Sequence, residues 1–306
     1  MVQAVFVDCT PELREVIERR GLEVPASVHI HQGNPCLDEL VSLCAGVEVL
    51  LVEHTCIPPT LLDACPTVNA IVFMGTGAGT YIDLSDAARR GVVVRTTPGY
   101  GDQAVAEHAL ALLFAAARGI ARSDAQIRRD IWQPAGGLQL LGLKLAVVGL
   151  GGIGTRLADI ASALQMDVAS WNRTPREHPS FNSDLDQVLS KADAVSLHLG
   201  LNADTTGLIG AHRLNLPNPG FILVNTARAD LVDESALLAG LKSGQIGHAA
   251  LDVFPEEPLP ADNPYKELAN VTLTAHMAYM TDAAYEELWL RTLNAYRELA
   301  TELKAA

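Results

Sequence analysis

Three side chains suited to carbonyl chemistry stand late in the chain, each just past a short apolar run. Arg228 lies in Val224-Asn225-Thr226-Ala227-Arg228-Ala229-Asp230. Glu257 lies in Leu251-Asp252-Val253-Phe254-Pro255-Glu256-Glu257-Pro258. His276 lies in Thr274-Ala275-His276-Met277-Ala278. Ligands of open α/β sheets bind outside the carboxyl ends of the strands, so the three are expected to meet in one region. A 2-oxo acid has a use for each. A guanidinium clamps its carboxylate, an acid protonates its carbonyl oxygen, and a carboxylate tunes that acid.

A second constellation lies upstream. The apolar run Leu145–Val148 leads into Gly149-Leu150-Gly151-Gly152-Ile153-Gly154, and a helical pattern follows to Leu164. This is G-x-G-x-x-G between a strand and a helix, the context in which the motif binds a dinucleotide. Gly149 makes the tight turn, Gly151 lets the backbone approach the pyrophosphate, and Gly154 lets helix pack on strand. Gly152 and Ile153 open the helix whose N-terminus faces the phosphate charge. The next strand ends Ser170-Trp171-Asn172-Arg173-Thr174, where NAD enzymes usually carry Asp or Glu for the ribose 2′-hydroxyl. Asn172 does not repel a 2′-phosphate, and Arg173 and Thr174 can bind one. NADP(H) is therefore favoured, with NAD(H) the alternative if Arg173 is only a solvated surface residue.

The elements that position these groups read as strands at Val5–Asp8, Val49–Val52, Ala70–Phe73, Val92–Arg95, Leu145–Val148, Val168–Trp171, Ala194–Leu197, Phe221–Val224, Ala249–Asp252 and Val271–Thr274. Helical periodicity fills intervals such as Pro11–Arg20, Ile153–Leu164 and Glu234–Ser243, and a terminal helix is expected over Trp289–Lys304. Strands alternating with helices imply parallel sheets built from β-α-β units. Ten strands are many for one sheet, and the series divides near residue 98. The helix at the division, Ala104–Ala117 (AVAEHALALLFAAA), is apolar around nearly its whole circumference and must be buried on every side. It is expected between domains or between the subunits of a symmetric homodimer, with an intradomain core as the alternative.

Bulk properties narrow the partners. The formal net charge of −14 argues against nucleic acid or an anionic membrane. No run of about 18 apolar residues is available to span a bilayer. The N-terminal residues resemble a first strand and lack signal-peptide features. Five cysteines all fall within the first 65 residues, with no C-x-x-C pair and no zinc spacing, so free thiols, no metal and a cytoplasmic setting are expected.

With these motifs in order, the sequence resembles the D-isomer-specific 2-hydroxyacid dehydrogenases, a family that includes D-lactate dehydrogenases, glyoxylate/hydroxypyruvate reductases and phosphoglycerate dehydrogenases. The resemblance covers nearly the whole chain. It rests on GTGAGTYIDL (75–84), GVVVRTTPGY and VAEHAL (91–110), GLGGIG, LHLGLNADTTGLI (197–209), VNTARADLVDE (224–234), LDVFPEEPL and TAH. It implies two Rossmann-like α/β domains with a ligand cleft between them: a flavodoxin-like substrate domain, 1–97 plus 278–306, and an NAD(P)-binding domain, 98–277. It assigns the substrate-binding arginine to Arg228, the proton donor in reduction to His276 and that histidine's partner to Glu257. Asp252 would contact the nicotinamide amide, and backbone amides of Thr76 and Gly77 would hold the substrate carboxylate. Thr205 and Thr226, within the matching runs, are expected to face the cofactor. The implied reaction moves hydride between NAD(P)H and C2 of a small 2-oxo acid, giving the D-2-hydroxy acid. His276 protonates the oxygen, and Glu257 keeps the imidazole charged near neutral pH.

The sequence departs from the family at three places. The family's R-G is Arg228-Ala229, its T-P-H is Thr274-Ala275-His276, and its H-x-P is His198-Leu199-Gly200. Each alters backbone freedom and none removes a reacting group. Two other readings of the scaffold stand beside the reductase: a dinucleotide-sensing corepressor that binds peptide partners, and a formate or phosphite dehydrogenase.

Overall fold

The structure, a computed structural model, describes residues 2–305. The chain begins with β1 (Ala4–Cys9), α1 (Pro11–Arg19), β2 (Val28–Gln32), α2 (Leu37–Cys44), β3 (Val49–Val52), α3 (Pro59–Ala64), β4 (Ala70–Phe73), α4 (Leu84–Arg89) and β5 (Val93–Thr96). It continues through α5 (Asp102–Arg118), α6 (Ile120–Ile127), β6 (Lys144–Val148), α7 (Gly152–Ala163), β7 (Asp167–Trp171), α8 (Leu185–Leu189), β8 (Ala194–Leu197), α9 (Ala211–Leu214) and β9 (Phe221–Asn225). After α10 (Glu234–Ser243), β10 (Ile246–Leu251) and β11 (Val271–Leu273) it ends in α11 (Asp282–Ala305). Two units result. One holds residues up to Gly101 and from Met280; the other is Asp102–Tyr279. The seams thus fall at 101/102 and 279/280, against the 97/98 and 277/278 read from the sequence.

The first unit is a parallel five-stranded sheet in the order β2-β1-β3-β4-β5, whose direction of growth reverses between β1 and β3. Its helix α1 is specified locally. The Thr10 hydroxyl caps Leu13 N–H, Pro11 occupies the first turn with Glu12, and Arg19 sits in the last. The edge strand β2 has no counterpart in the apolar runs. Its sequence VHIHQ pairs Val28 and Ile30 with Ala4 and Phe6, while His29 is exposed and His31 half-buried. The terminal helix starts seven residues before Trp289, and this tryptophan is its anchor. Fully buried, Trp289 stacks on Phe6 at 6.1 Å and donates to the Glu23 carbonyl at 2.9 Å.

The second unit is a parallel six-stranded sheet, β11-β10-β9-β8-β6-β7, covered on both faces. Leu145, Val147, Ile222 and Val224 face α5 and α7, whereas Ala146, Val148, Leu223 and Leu251 face α8 to α10. Burial on both faces is why these strands read as continuous apolar runs.

The helix α5 corrects an expectation. Val105, Ala106, Ala109, Leu112, Leu113, Ala116 and Ala117 pack into the core of the second unit, so most of its apolar surface is buried within its own domain. Ala111 and Phe114 are exposed, so the helix is not buried on every side.

Candidate active site

Asn225, Leu251 and Leu273 stand in register across β9, β10 and β11, so three loops leave the sheet side by side. Each carries one member of the trio. After β9, the Asn225 side chain accepts from Ala227 N–H at 3.0 Å and donates to the Arg228 carbonyl at 2.9 Å, folding the turn that presents Arg228. The guanidinium is half-buried and donates to the Ala227 carbonyl at 2.7 Å.

Glu257 and His276 are joined directly, Glu257 Oε2 lying 2.6 Å from His276 Nδ1. The second oxygen, Oε1, accepts from Phe254 N–H at 2.9 Å, which fixes the carboxylate plane. Partial burial pushes the Glu257 carboxyl up. The hydrogen bonds from His276 and Phe254 and the charges of His276 and Arg228 overcome that and hold it below the usual carboxylate range. An ionised carboxylate only accepts, so Nδ1 carries the proton toward Glu257 and Nε2 is the atom left to exchange a proton.

The histidine is held in an unusual conformation. His276 has φ of +50°, in the left-handed region that side chains other than glycine rarely occupy. The next two residues are clamped: Met277 N–H donates to Asp252 Oδ1 and Ala278 N–H to Asp252 Oδ2, both at 3.0 Å. The Thr274 hydroxyl donates to the same Oδ1 at 2.6 Å. Asp252 is fully buried. Burial raises its carboxyl pKa, but the nearby His108 imidazole, 3.6 Å away, and the hydrogen bonds from Thr274, Met277 and Ala278 more than compensate and bring it below the usual range.

The glycine turn follows β6, where the order of strands reverses between β6 and β8. Gly149 has φ of +109°, and a Cβ there would stand 2.4 Å from the His198 carbonyl oxygen. A Cβ on Gly154 would stand 1.8 Å from the Gly149 carbonyl oxygen, so neither position tolerates a side chain. At Gly151 a Cβ would meet nothing within 4 Å, so crowding inside the protein does not explain that glycine. A dinucleotide backbone passing over the turn does. The buried Thr226 hydroxyl, which has no hydrogen-bond partner among the described residues, fits the same group. Gly152 and Ile153 form the first turn of α7, as a pyrophosphate site requires.

The other predicted cofactor residues are placed less uniformly. Asn172 bridges the glycine turn, accepting from Leu150 N–H at 3.1 Å and donating to the Thr174 carbonyl at 2.7 Å. Arg173 is exposed and pairs with exposed Asp204 at 3.1 Å, and Thr174 is exposed. The Thr205 hydroxyl is spent within its own loop, on Gly200 and Asn202. Thr76 and Gly77 lie in the first unit, just past β4, Thr76 exposed and Gly77 half-buried. At the three family departures, none of Gly200, Ala229 and Ala275 has positive φ.

A second histidine stands in the site. His108 Nε2 lies 3.2 Å from Thr274 Oγ1 and 3.6 Å from Asp252 Oδ1. The signal was there: His108 falls on the stripe Val105, Ala109, Leu112 that α5 buries.

Residues 110–278 match the family model described as D-isomer specific 2-hydroxyacid dehydrogenase, NAD binding domain. The D-3-phosphoglycerate dehydrogenase of Archaeoglobus fulgidus is 32% identical over 281 residues, covering 89% of this chain and 52% of that protein. The chain thus spans about half the length of the first curated relatives it matches. The glyoxylate reductase of Korarchaeum cryptofilum is 34% identical over 253 residues, covering 78% of this chain and 75% of that one. Among solved structures, an acyclic imino acid reductase in complex with NADPH and D-Arg is 27% identical, with a TM-score of 0.83 over 98% of this chain and 97% of that one.

Proposed function

Since the chain belongs to the D-isomer-specific 2-hydroxyacid dehydrogenase family, we propose that it reduces a small 2-oxo acid to the D-2-hydroxy acid, and runs the reverse reaction, with a nicotinamide dinucleotide. The observation that carries this reading is the 2.6 Å Glu257–His276 pair within the electrostatic reach of Arg228. The reduced nicotinamide, when bound, supplies hydride to C2 of the substrate. Arg228 holds the substrate carboxylate and stabilises charge developing on the carbonyl oxygen. His276 gives its Nε2 proton to that oxygen, so hydride at carbon and proton at oxygen complete the hydroxyl group. Solvent then restores the imidazolium, which Glu257 orients and stabilises. Backbone amides at Thr76 and Gly77 are assigned to the substrate carboxylate.

The dinucleotide would be held by Gly149, Gly151, Gly152, Ile153 and Gly154 at its pyrophosphate and by Asn172, Arg173 and Thr174 at its ribose. Thr226 and Asp252 belong to the nicotinamide side, and Thr205 to a cofactor-facing loop whose shape its hydroxyl fixes. NADP(H) is the preferred form because no carboxylate ends β7 and the exposed Arg173 can exchange Asp204 for a 2′-phosphate. A homodimer completes the reading, with its interface moved along the chain from α5. Beside Phe114, the residues Ile120, Ile127, Ile131, Leu138 and Leu141 are exposed, and Trp132 is 84% exposed, a run of apolar surface suited to a second copy.

The test is oxidation of NADPH and NADH with a panel of 2-oxo acids, run with and without an added amine to include imino acid substrates. Turnover with at least one 2-oxo acid is expected, with kcat/KM for NADPH above that for NADH by about tenfold, or about 1.4 kcal/mol. Arg173→Ala should reduce that preference mainly through KM for NADPH. Dinucleotide binding without turnover would favour a sensor. Oxidation of formate or phosphite alone would favour the other dehydrogenases. Equal or better use of NADH would overturn the cofactor preference.

A further inference from the structure

Behind the Glu257–His276 pair runs a hydrogen-bonded chain that starts on a different element. Thr274 spends its hydroxyl proton on Asp252 Oδ1, so Thr274 Oγ1 can only accept from His108, and His108 Nε2 is the donor. Asp252 in turn accepts from Met277 and Ala278, the two residues that follow His276. Among the described residues His108 is the only basic side chain with a nitrogen within 4 Å of the Asp252 carboxylate, at 3.6 Å. His108 is itself fixed, since Val105, Ala109 and Leu112 on the same stripe of α5 are packed into the core.

We propose that His108 is a positioning residue, which through Thr274 and Asp252 locks the left-handed backbone at His276 and so aims its Nε2. Each link has a physical consequence. A non-glycine residue at positive φ persists only where its surroundings over-determine it, and here two amides clamped on one carboxylate do so. A buried carboxylate keeps its charge only if it is compensated, and His108, by donating to Thr274 Oγ1, leaves the Thr274 hydroxyl proton directed at Asp252. Loss of the His108 donor loosens the clamp, and His276 relaxes toward negative φ with its ring displaced from the reacting oxygen. The role rests on His276 being the proton donor, as proposed above.

The experiment compares the whole chain with His108→Leu, His108→Gln and Thr274→Val. Leu removes the donor, Gln offers an N–H at similar reach without an imidazole, and Val removes the bridging hydroxyl while keeping the shape. Steady-state reduction of the best 2-oxo acid should lose about tenfold or more in kcat for Leu and for Val, because small displacements of a reacting group are costly. Dinucleotide Kd should stay within about twofold, and Gln should recover kcat to within about threefold of the parent. The double variant should be no slower than either single one, as expected for residues acting in one chain. Hydrogen exchange at the Met277 and Ala278 amides supplies the arm that needs no turnover. Their protection should fall in Leu and Val and return in Gln. Unchanged protection would overturn the role of His108 whatever the substrate. So would unchanged kcat, or a Gln variant as slow as Leu. A parent that turns over no 2-oxo acid, with the exchange pattern as expected, would instead overturn the functional reading and leave the positioning chain standing.

Discussion

Replacing Asp252 with asparagine tests the clamp on the catalytic loop at its centre. The carboxylate accepts from Thr274 and Met277 on one oxygen and from Ala278 on the other. An amide has a single acceptor oxygen. Placed at Oδ1 it keeps Thr274 and Met277 but sets an NH2 against Ala278 N–H, and the opposite orientation loses two donors. At least one hydrogen bond to a buried charge is lost in either case, about 1.5–3 kcal/mol. For a domain of this size, about 2–4 °C per kcal/mol lowers Tm by roughly 3–12 °C. The folded carboxyl lies below its unfolded value, so its contribution is present above the unfolded pKa and is lost as pH falls through the folded one. Calorimetric Tm curves of parent and Asp252→Asn should therefore be separated at neutral pH and converge in acid. Equal Tm at neutral pH, or a gap that persists unchanged into acid, would refute the reasoning.

Glu257→Gln turns a charge-assisted contact on His276 into a neutral one. The rate of 2-oxo acid reduction should then begin to fall at a lower pH than in the parent, read as a shifted basic limb of kcat/KM. An unshifted limb would mean that Glu257 does not hold the imidazolium. The parent should sediment as a dimer at micromolar concentration, and Trp132→Asp should shift it toward monomer. A monomeric parent would leave Trp132 and its apolar neighbours without that partner.

What the sequence disclosed follows from where each element's signal originates. The strands β3, β4 and β8 coincide with the apolar runs Val49–Val52, Ala70–Phe73 and Ala194–Leu197, because burial on both faces leaves no polar alternation. The edge strand β2 was hidden because three of its five residues are polar. Pairing of Glu257 with His276 was implied by the family resemblance. The clamp of Asp252 on Met277 and Ala278 was not, since it joins side chain to backbone across 25 and 26 residues of chain. The place of His108 was hidden for a related reason: periodicity shows that its stripe is buried but not which polar group it meets. The apolar circumference of α5 was read correctly as a burial signal and assigned to the wrong neighbour, its own sheet being the surface that covers most of it.

The most direct test of the central claim compares the parent with His276→Ala in two assays on the same preparations. One follows 2-oxo acid-dependent oxidation of the reduced dinucleotide, and the other titrates dinucleotide binding by fluorescence. The account predicts turnover in the parent, a loss of about a hundredfold or more in kcat for the variant, and a dinucleotide Kd changed by no more than about twofold. A variant that keeps its kcat, or one that loses dinucleotide binding in step with turnover, would contradict the assignment of His276 as the proton donor.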